Sequence, residues 1–119
     1  MLAAALLAAE PALIGDPQRG AEIVRSRSSG LCVLCHALPG VPRVHAGTLG
    51  PDLAGVGARY SPAQLRERLE APERFNPDTV MPSVTRRDAF SRAAVGRAGQ
   101  PLLNEQQLQD VLSHLATLR

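Results

Sequence analysis

Apolar residues recur at helical spacing most clearly near the end of the chain, at Leu108, Val111, Leu112, Leu115 and Leu118. Steps of three and four place them on one face of a helix. Asn104 precedes the run as an N-cap, with Gln107 at the third helical position. Ser61-Pro62-Ala63-Gln64 is a second capping box. It opens a helix with apolar positions Leu65 and Leu69, which Pro72 closes. Nearer the start, Asp16-Pro17 predicts a helix beginning, with Asp as N-cap and Pro in the first turn. That helix is expected to run to about Ser28 and stop at Gly30. Gly20 and Val24 share a face within it, and a glycine there lets another helix approach closely.

Between these helices the pattern breaks. Residues 37–60 hold Pro39, Gly40, Pro42, Gly47, Gly50, Pro51, Gly55 and Gly57, with neither alternation nor helical period. A structured loop of that length usually carries function. Residues 73–101 are again loop-like, with one short helix expected from about Asp88 to Val95. No segment reads as a strand, and neither a repeat nor a second domain is visible. The expectation is one all-α domain over residues 16–119. Residues 1–15 read as a leader or disordered segment, the remnant of a secretory signal. Met1 to Ala9 is an apolar run ending in small residues, without a positive start and too short to span a membrane. An Ala-rich helical start is the alternative.

Composition adds a shortage of bulk. Of 119 residues 45% are hydrophobic, but 18 are Ala, two are Ile, Phe and Tyr total three, and Trp is absent. Such a chain lacks the aromatics that usually fill a core. A haem or similar large apolar body would fill the deficit. Gly and Pro, ten each, stay below the level that signals disorder. A net charge of +2 and a pI near 8.9 fall short of a nucleic-acid-binding profile. All 13 basic residues are Arg, so a docking surface for an acidic partner would be built from guanidinium forks.

The two cysteines lie together in Cys32-Val33-Leu34-Cys35-His36. The spacing sets both thiols on one side of a turn, within reach of two vinyl groups of one haem, and His36 follows as an iron ligand. C-x-x-C-H is a haem-attachment signature. Zinc would need a second pair of ligands, which His45 and His114 do not supply at suitable spacing. A thioredoxin-type pair belongs in a βαβ pattern that is absent. A simple disulfide is the plainest alternative in an exported chain. For the sixth ligand the candidate is Met81, the sole Met besides Met1, in Asn76-Pro77-Asp78-Thr79-Val80-Met81-Pro82. The prolines stiffen the loop around a soft thioether. His45 is the rival, and His114 falls at the edge of the C-terminal apolar stripe.

Gly50-Pro51-Asp52-Leu53 is similar to the Gly-Pro-x-Leu turn of class I cytochromes c. That resemblance implies that the Pro51 carbonyl orients His36 and that Leu53 packs on the haem. It also implies crossing N- and C-terminal helices, Gly20 and Val24 facing Leu112 and Leu115, around one covalently bound haem c. The bland readings are an ordinary proline turn and a glycine merely tolerated at about 1 kcal/mol. From Gly30 to Arg119 the chain more narrowly resembles the SoxX family of mono-haem cytochromes. The carrying stretches are residues 30–39, residues 47–56, Arg59-Tyr60, Asn76 to Pro82 and Arg97 to Leu103. The family often has aromatics after the Met-Pro-Ser step, where this chain has Val84-Thr85; the departure removes ring packing beside Met81.

The resemblance implies a periplasmic, exported protein that forms a heterodimer with a SoxA-type cytochrome. In that complex, an L-cysteine S-thiosulfotransferase, SoxA holds the catalytic haem and couples thiosulfate oxidatively to a carrier protein's cysteine. The SoxX subunit accepts the electrons and hands them to a downstream cytochrome or oxidase. Neither nucleic acid nor a stable membrane anchor is expected, and no residue of this chain is expected to be catalytic. The competing reading is a free soluble periplasmic electron carrier. Haem sensing would require an open distal position.

Overall fold

A computed structural model describes residues 13–88 and 99–119 of the chain. Three helices stand where the capping residues place them. The first, α1, spans Pro17–Arg25, and the Asp16 carboxylate accepts the backbone N–H groups of Gln18 and Arg19 at 2.8 and 3.3 Å. It ends three residues before the expected Ser28. The Ser26 hydroxyl accepts the N–H groups of Ser28 and Ser29, offering the backbone a turn instead of another helical step.

A short helix, α2, spans Val56–Arg59 inside the stretch expected to be loop throughout. Gly55 enters it at φ 76°, a conformation that favours glycine. The capping box at Ser61 and Gln64 opens α3, Pro62–Glu70, with Leu65 and Leu69 buried. The box at Asn104 and Gln107 opens α4, Glu105–Thr117, which buries Leu108, Val111, Leu112 and Leu115. Among the described residues there is no strand. The short helix expected from Asp88 to Val95 falls largely outside the described residues.

The terminal helices cross closely. Gly20 is buried in α1, and a Cβ built on it would lie 1.9 Å from the Asp110 carbonyl oxygen and 2.9 Å from the His114 Cβ. The nearest neighbours of Gly20 are thus Asp110 and His114, two residues before the expected Leu112 and one before the expected Leu115. Val24 is fully buried in the core.

Asp110 seals the crossing. Its side chain is 2% exposed and accepts the Asp16 N–H at 2.8 Å, Arg19 Nε at 3.0 Å and Gln106 Nε2 at 3.0 Å. The Arg19 hydrogen bond, helped by the other donors, holds this carboxyl below the usual carboxylate range against the opposing effect of burial. Second, α2 rests on the end of α4, where the Gly57 N–H donates to the Leu118 carbonyl at 2.8 Å. Among the described residues the core formed by these contacts is aliphatic, with no aromatic side chain among its buried members.

Candidate functional site

The residues from Gly30 to Leu53 fold as two strips laced together. Leu31 adopts φ 63°, a left-handed conformation that costs a branched side chain free energy. From it the chain enters a 3₁₀ turn, Cys32–Leu34, extended by N–H bonds from Cys35 and His36 to the Cys32 carbonyl at 3.1 and 2.9 Å. The second strip is fixed to this turn by three backbone bonds. Gly47 N–H reaches the Val33 carbonyl at 2.9 Å, Gly50 N–H the Cys35 carbonyl at 2.7 Å, and Leu53 N–H the Ala37 carbonyl at 3.0 Å.

That lacing sets the histidine. His36 Nδ1 lies 2.7 Å from the Pro51 carbonyl oxygen. A carbonyl only accepts, so the bond assigns the proton to Nδ1 and leaves the Nε2 lone pair available to a metal. Gly50 makes room for the ring: a Cβ there would stand 2.4 Å from His36 Cε1 and 2.6 Å from Nδ1.

Cys32 and Cys35 are separate thiols, not a disulfide. Burial pushes the Cys32 thiol up to about 11, so it is protonated at neutral pH.

Met81 reaches the same cavity from a separate loop. The loop that carries it is a chain of small turns: Asp78 N–H to Asn76 Oδ1 at 3.1 Å, Thr79 N–H to the Asn76 carbonyl at 3.1 Å, and Met81 N–H to Thr79 Oγ1 at 3.1 Å. Its far end is pinned by Val84, which is 3% exposed. The Val84 N–H donates to the Leu69 carbonyl and its own carbonyl accepts from Leu103, both at 2.9 Å. Main-chain bonds therefore hold the loop where the sequence lacks aromatic packing.

These strips and loops enclose one cavity of about 780 Å³. Cys32, Cys35, His36, Pro51, Leu53 and Met81 all line it, with Leu65, Leu69, Val111 and Leu115 supplied by α3 and α4. The volume lies within the range of sites that engulf a whole organic ligand. Two thiols, an imidazole with a free lone pair, a thioether and an apolar wall fit a haem. His45 is exposed and lies outside the lining. His114 also lies outside the lining, its pKa lowered by burial and by nearby Arg25.

Two features escaped the sequence reading. Arg43 is ion-paired with Asp52 at 3.1 Å, and Arg59 donates to the carbonyls of Ala54 and Asp52 at 2.9 and 3.4 Å. Arg68 lies between two rings, its Cζ 4.0 Å from the centroids of both Tyr60 and Phe75. Positions 60, 68 and 75 have no local spacing rule; the turn at Pro72–Arg74 brings Phe75 back against α3.

Residues 17–119 match the sequence model of the cytochrome c family. The chain is also similar to a chain of the crystal structure of SoxXA from P. pantotrophus. The two share 34% sequence identity and a TM-score of 0.77, over 93% of this chain and 87% of that one. No curated protein sequence matches.

Proposed function

The chain belongs to the cytochrome c family, and from that premise we propose that it is the mono-haem, electron-accepting subunit of a SoxAX-type complex. The observation that carries the reading is the convergence of Cys32, Cys35, His36 and Met81 on one apolar cavity. Residues 16–119 form the haem-bearing domain, and residues 1–15 are the leader of a chain exported to the periplasm. Among the described residues, no helix is long and apolar enough to cross a membrane.

A bound haem c supplies a one-electron iron couple. Cys32 and Cys35 would tether it through thioether bonds, and His36 and Met81 would be the side chains that bind its iron. The Pro51 carbonyl holds the His36 tautomer and raises the basicity of Nε2. The Met81 thioether would favour the reduced state of that iron and leave it no position for an exogenous ligand. With both cysteines used as tethers, no thiol of the chain is left for group transfer. It passes electrons.

Those electrons come from a SoxA-type partner that couples thiosulfate to a carrier cysteine, and leave to a downstream cytochrome or oxidase. Forming that sulfur–sulfur bond releases two electrons, so a one-electron site turns over twice per coupling. Exposed Leu34, Leu49, Phe75 and Val80 ring the cavity and form the apolar centre of the docking face. Arg43 and Arg59 lie on its rim, where charge acts mainly on association rate.

Intact-mass analysis of chain matured with haem-attachment machinery should show one haem retained under denaturing conditions. The ferric protein should show the near-infrared sulfur-to-iron band, and Met81→Ala should abolish it. Size exclusion with the cognate SoxA-type cytochrome should give a heterodimer whose small-subunit haem is reduced on adding thiosulfate. A monomer that never associates and is never reduced this way is a free carrier, and the subunit reading fails.

A further inference from the structure

Among the described residues the cavity lining contains two arginines, Arg59 and Arg68, and they are committed differently. The Arg59 guanidinium is engaged with backbone carbonyls of its own loop. Arg68 is half-buried and makes no hydrogen bond or ion pair to any described residue. Of the carboxylates close to it in sequence, Glu70 is bridged by Arg66 at 2.9 Å and Glu73 by Arg86 at 2.7 Å, while Glu67 is exposed and forms no ion pair with Arg68. The one acidic residue of the lining, Asp52, is paired with Arg43.

Tyr60 and Phe75 meanwhile stack on Arg68, each ring centroid 4.0 Å from its Cζ. Such contacts stabilise the cation and fix its plane. With rings against it, the guanidinium is left to bond through its edge, where its N–H donors lie in the plane. A guanidinium is always charged, and one set in a mostly apolar wall is costly unless an anion meets it.

We propose that Arg68, clamped between Tyr60 and Phe75, pairs through its in-plane N–H donors with a propionate of the bound haem and raises the potential at which the iron accepts its electron. The inference rests on the haem reading of this cavity. Within that reading the chemistry is restrictive. The anionic groups on the rim of a haem are its propionate carboxylates, and a planar fork of donors is the geometry that binds a carboxylate with two parallel bonds. A fixed positive charge beside the macrocycle disfavours the more positive ferric state, so it shifts the couple toward reduction. The two rings keep that charge in place as the iron changes state, so little reorganisation is needed on electron transfer.

The test uses the haem-loaded protein and two variants, Arg68→Gln and Arg68→Lys. Optical spectra first establish that each keeps the low-spin spectrum of the wild type; the readouts are then the midpoint potential and the propionate bending bands in resonance Raman spectra. Arg68→Gln should lower the potential, raising the oxidised-to-reduced ratio several-fold at a fixed applied potential, and should shift the bending bands. Arg68→Lys keeps the charge but loses the fork, so its potential should lie nearer the wild type while the bands still move. If Arg68→Gln fails to mature, Arg68→Lys and Phe75→Leu carry the same comparison, each expected to move the bands. Unchanged potential and unchanged bands in the loaded variants would overturn the proposal. A lowered potential with unchanged bands would overturn the pairing and leave a charge acting through space. A wild-type chain that retains no haem sinks the functional reading itself, a result separable from either.

Discussion

At the scale of single residues, the site is set by what is missing from Gly50 as much as by what His36 carries. A methyl group at position 50 would stand 2.4 Å from the His36 ring, deep inside van der Waals contact. The backbone there cannot retreat freely, because Gly50 N–H is bonded to the Cys35 carbonyl at 2.7 Å and the next residue's carbonyl holds Nδ1. The ring must yield. Gly50→Ala is therefore expected to cost about 1–3 kcal/mol of stability through overpacking. It should also perturb the ligand bond: part of the ferric low-spin electron paramagnetic resonance signal should give way to a high-spin one. An unaltered spectrum would show that the His36 orientation does not depend on this glycine. The candidate site was largely legible at this scale because the haem-attachment signature places Cys32, Cys35 and His36 within five residues, and all three line the cavity. Arg68 was not legible, because its partners Tyr60 and Phe75 are brought to it by the turn after α3, and a turn's path is not written in residue spacing.

At the scale of elements, helices α1, α3 and α4 could be read from their caps, since the capping residues and the following apolar positions act locally. The short helix α2 could not. Its four residues take their conformation from docking on α4, where a Cβ on Gly57 would meet the carbonyl oxygens of Leu115 and Ala116 at 2.6 Å. The α1–α4 crossing shows how packing overrides propensity. Ala in place of a helical glycine ordinarily gains about 0.5–1 kcal/mol. At Gly20 the added Cβ would stand 1.9 Å from the Asp110 carbonyl oxygen, a backbone atom that cannot swing aside. Separating the helices also strains the bonds that Asp110 accepts from Asp16 and Arg19. Gly20→Ala is thus expected to be net destabilising by about 1–3 kcal/mol. In a domain of this size each kcal/mol lowers the melting temperature by roughly 4–8 °C, so calorimetry of the haem-loaded protein can read the sign. A raised melting temperature would mean the crossing is looser than this geometry.

At the scale of the whole molecule, the described core is thin on the side facing the cavity. Leu65, Leu69, Val111 and Leu115 each present part of their surface to that cavity, and the aromatics Tyr60 and Phe75 stand at its wall. A cavity of about 780 Å³ left without a bound group withholds packing contacts from every apolar side chain that lines it. The sparse aromatic content of the sequence and the size of the cavity thus point the same way: a bound haem would be part of the core. Without it, the α1–α4 crossing retains Gly20, Val24 and Asp110 in contact, but the walls contributed by α3 and the Met81 loop lose their common support. The double variant Cys32→Ala/Cys35→Ala, produced free of haem, is accordingly expected to show partial helical circular dichroism without a cooperative thermal transition. Its slowest-exchanging amides should lie where α1 crosses α4, since the contacts of Gly20 and Asp110 do not pass through the cavity. A sharp transition within a few degrees of the haem-loaded protein, with protection extending over α3, would show that the polypeptide alone closes its core.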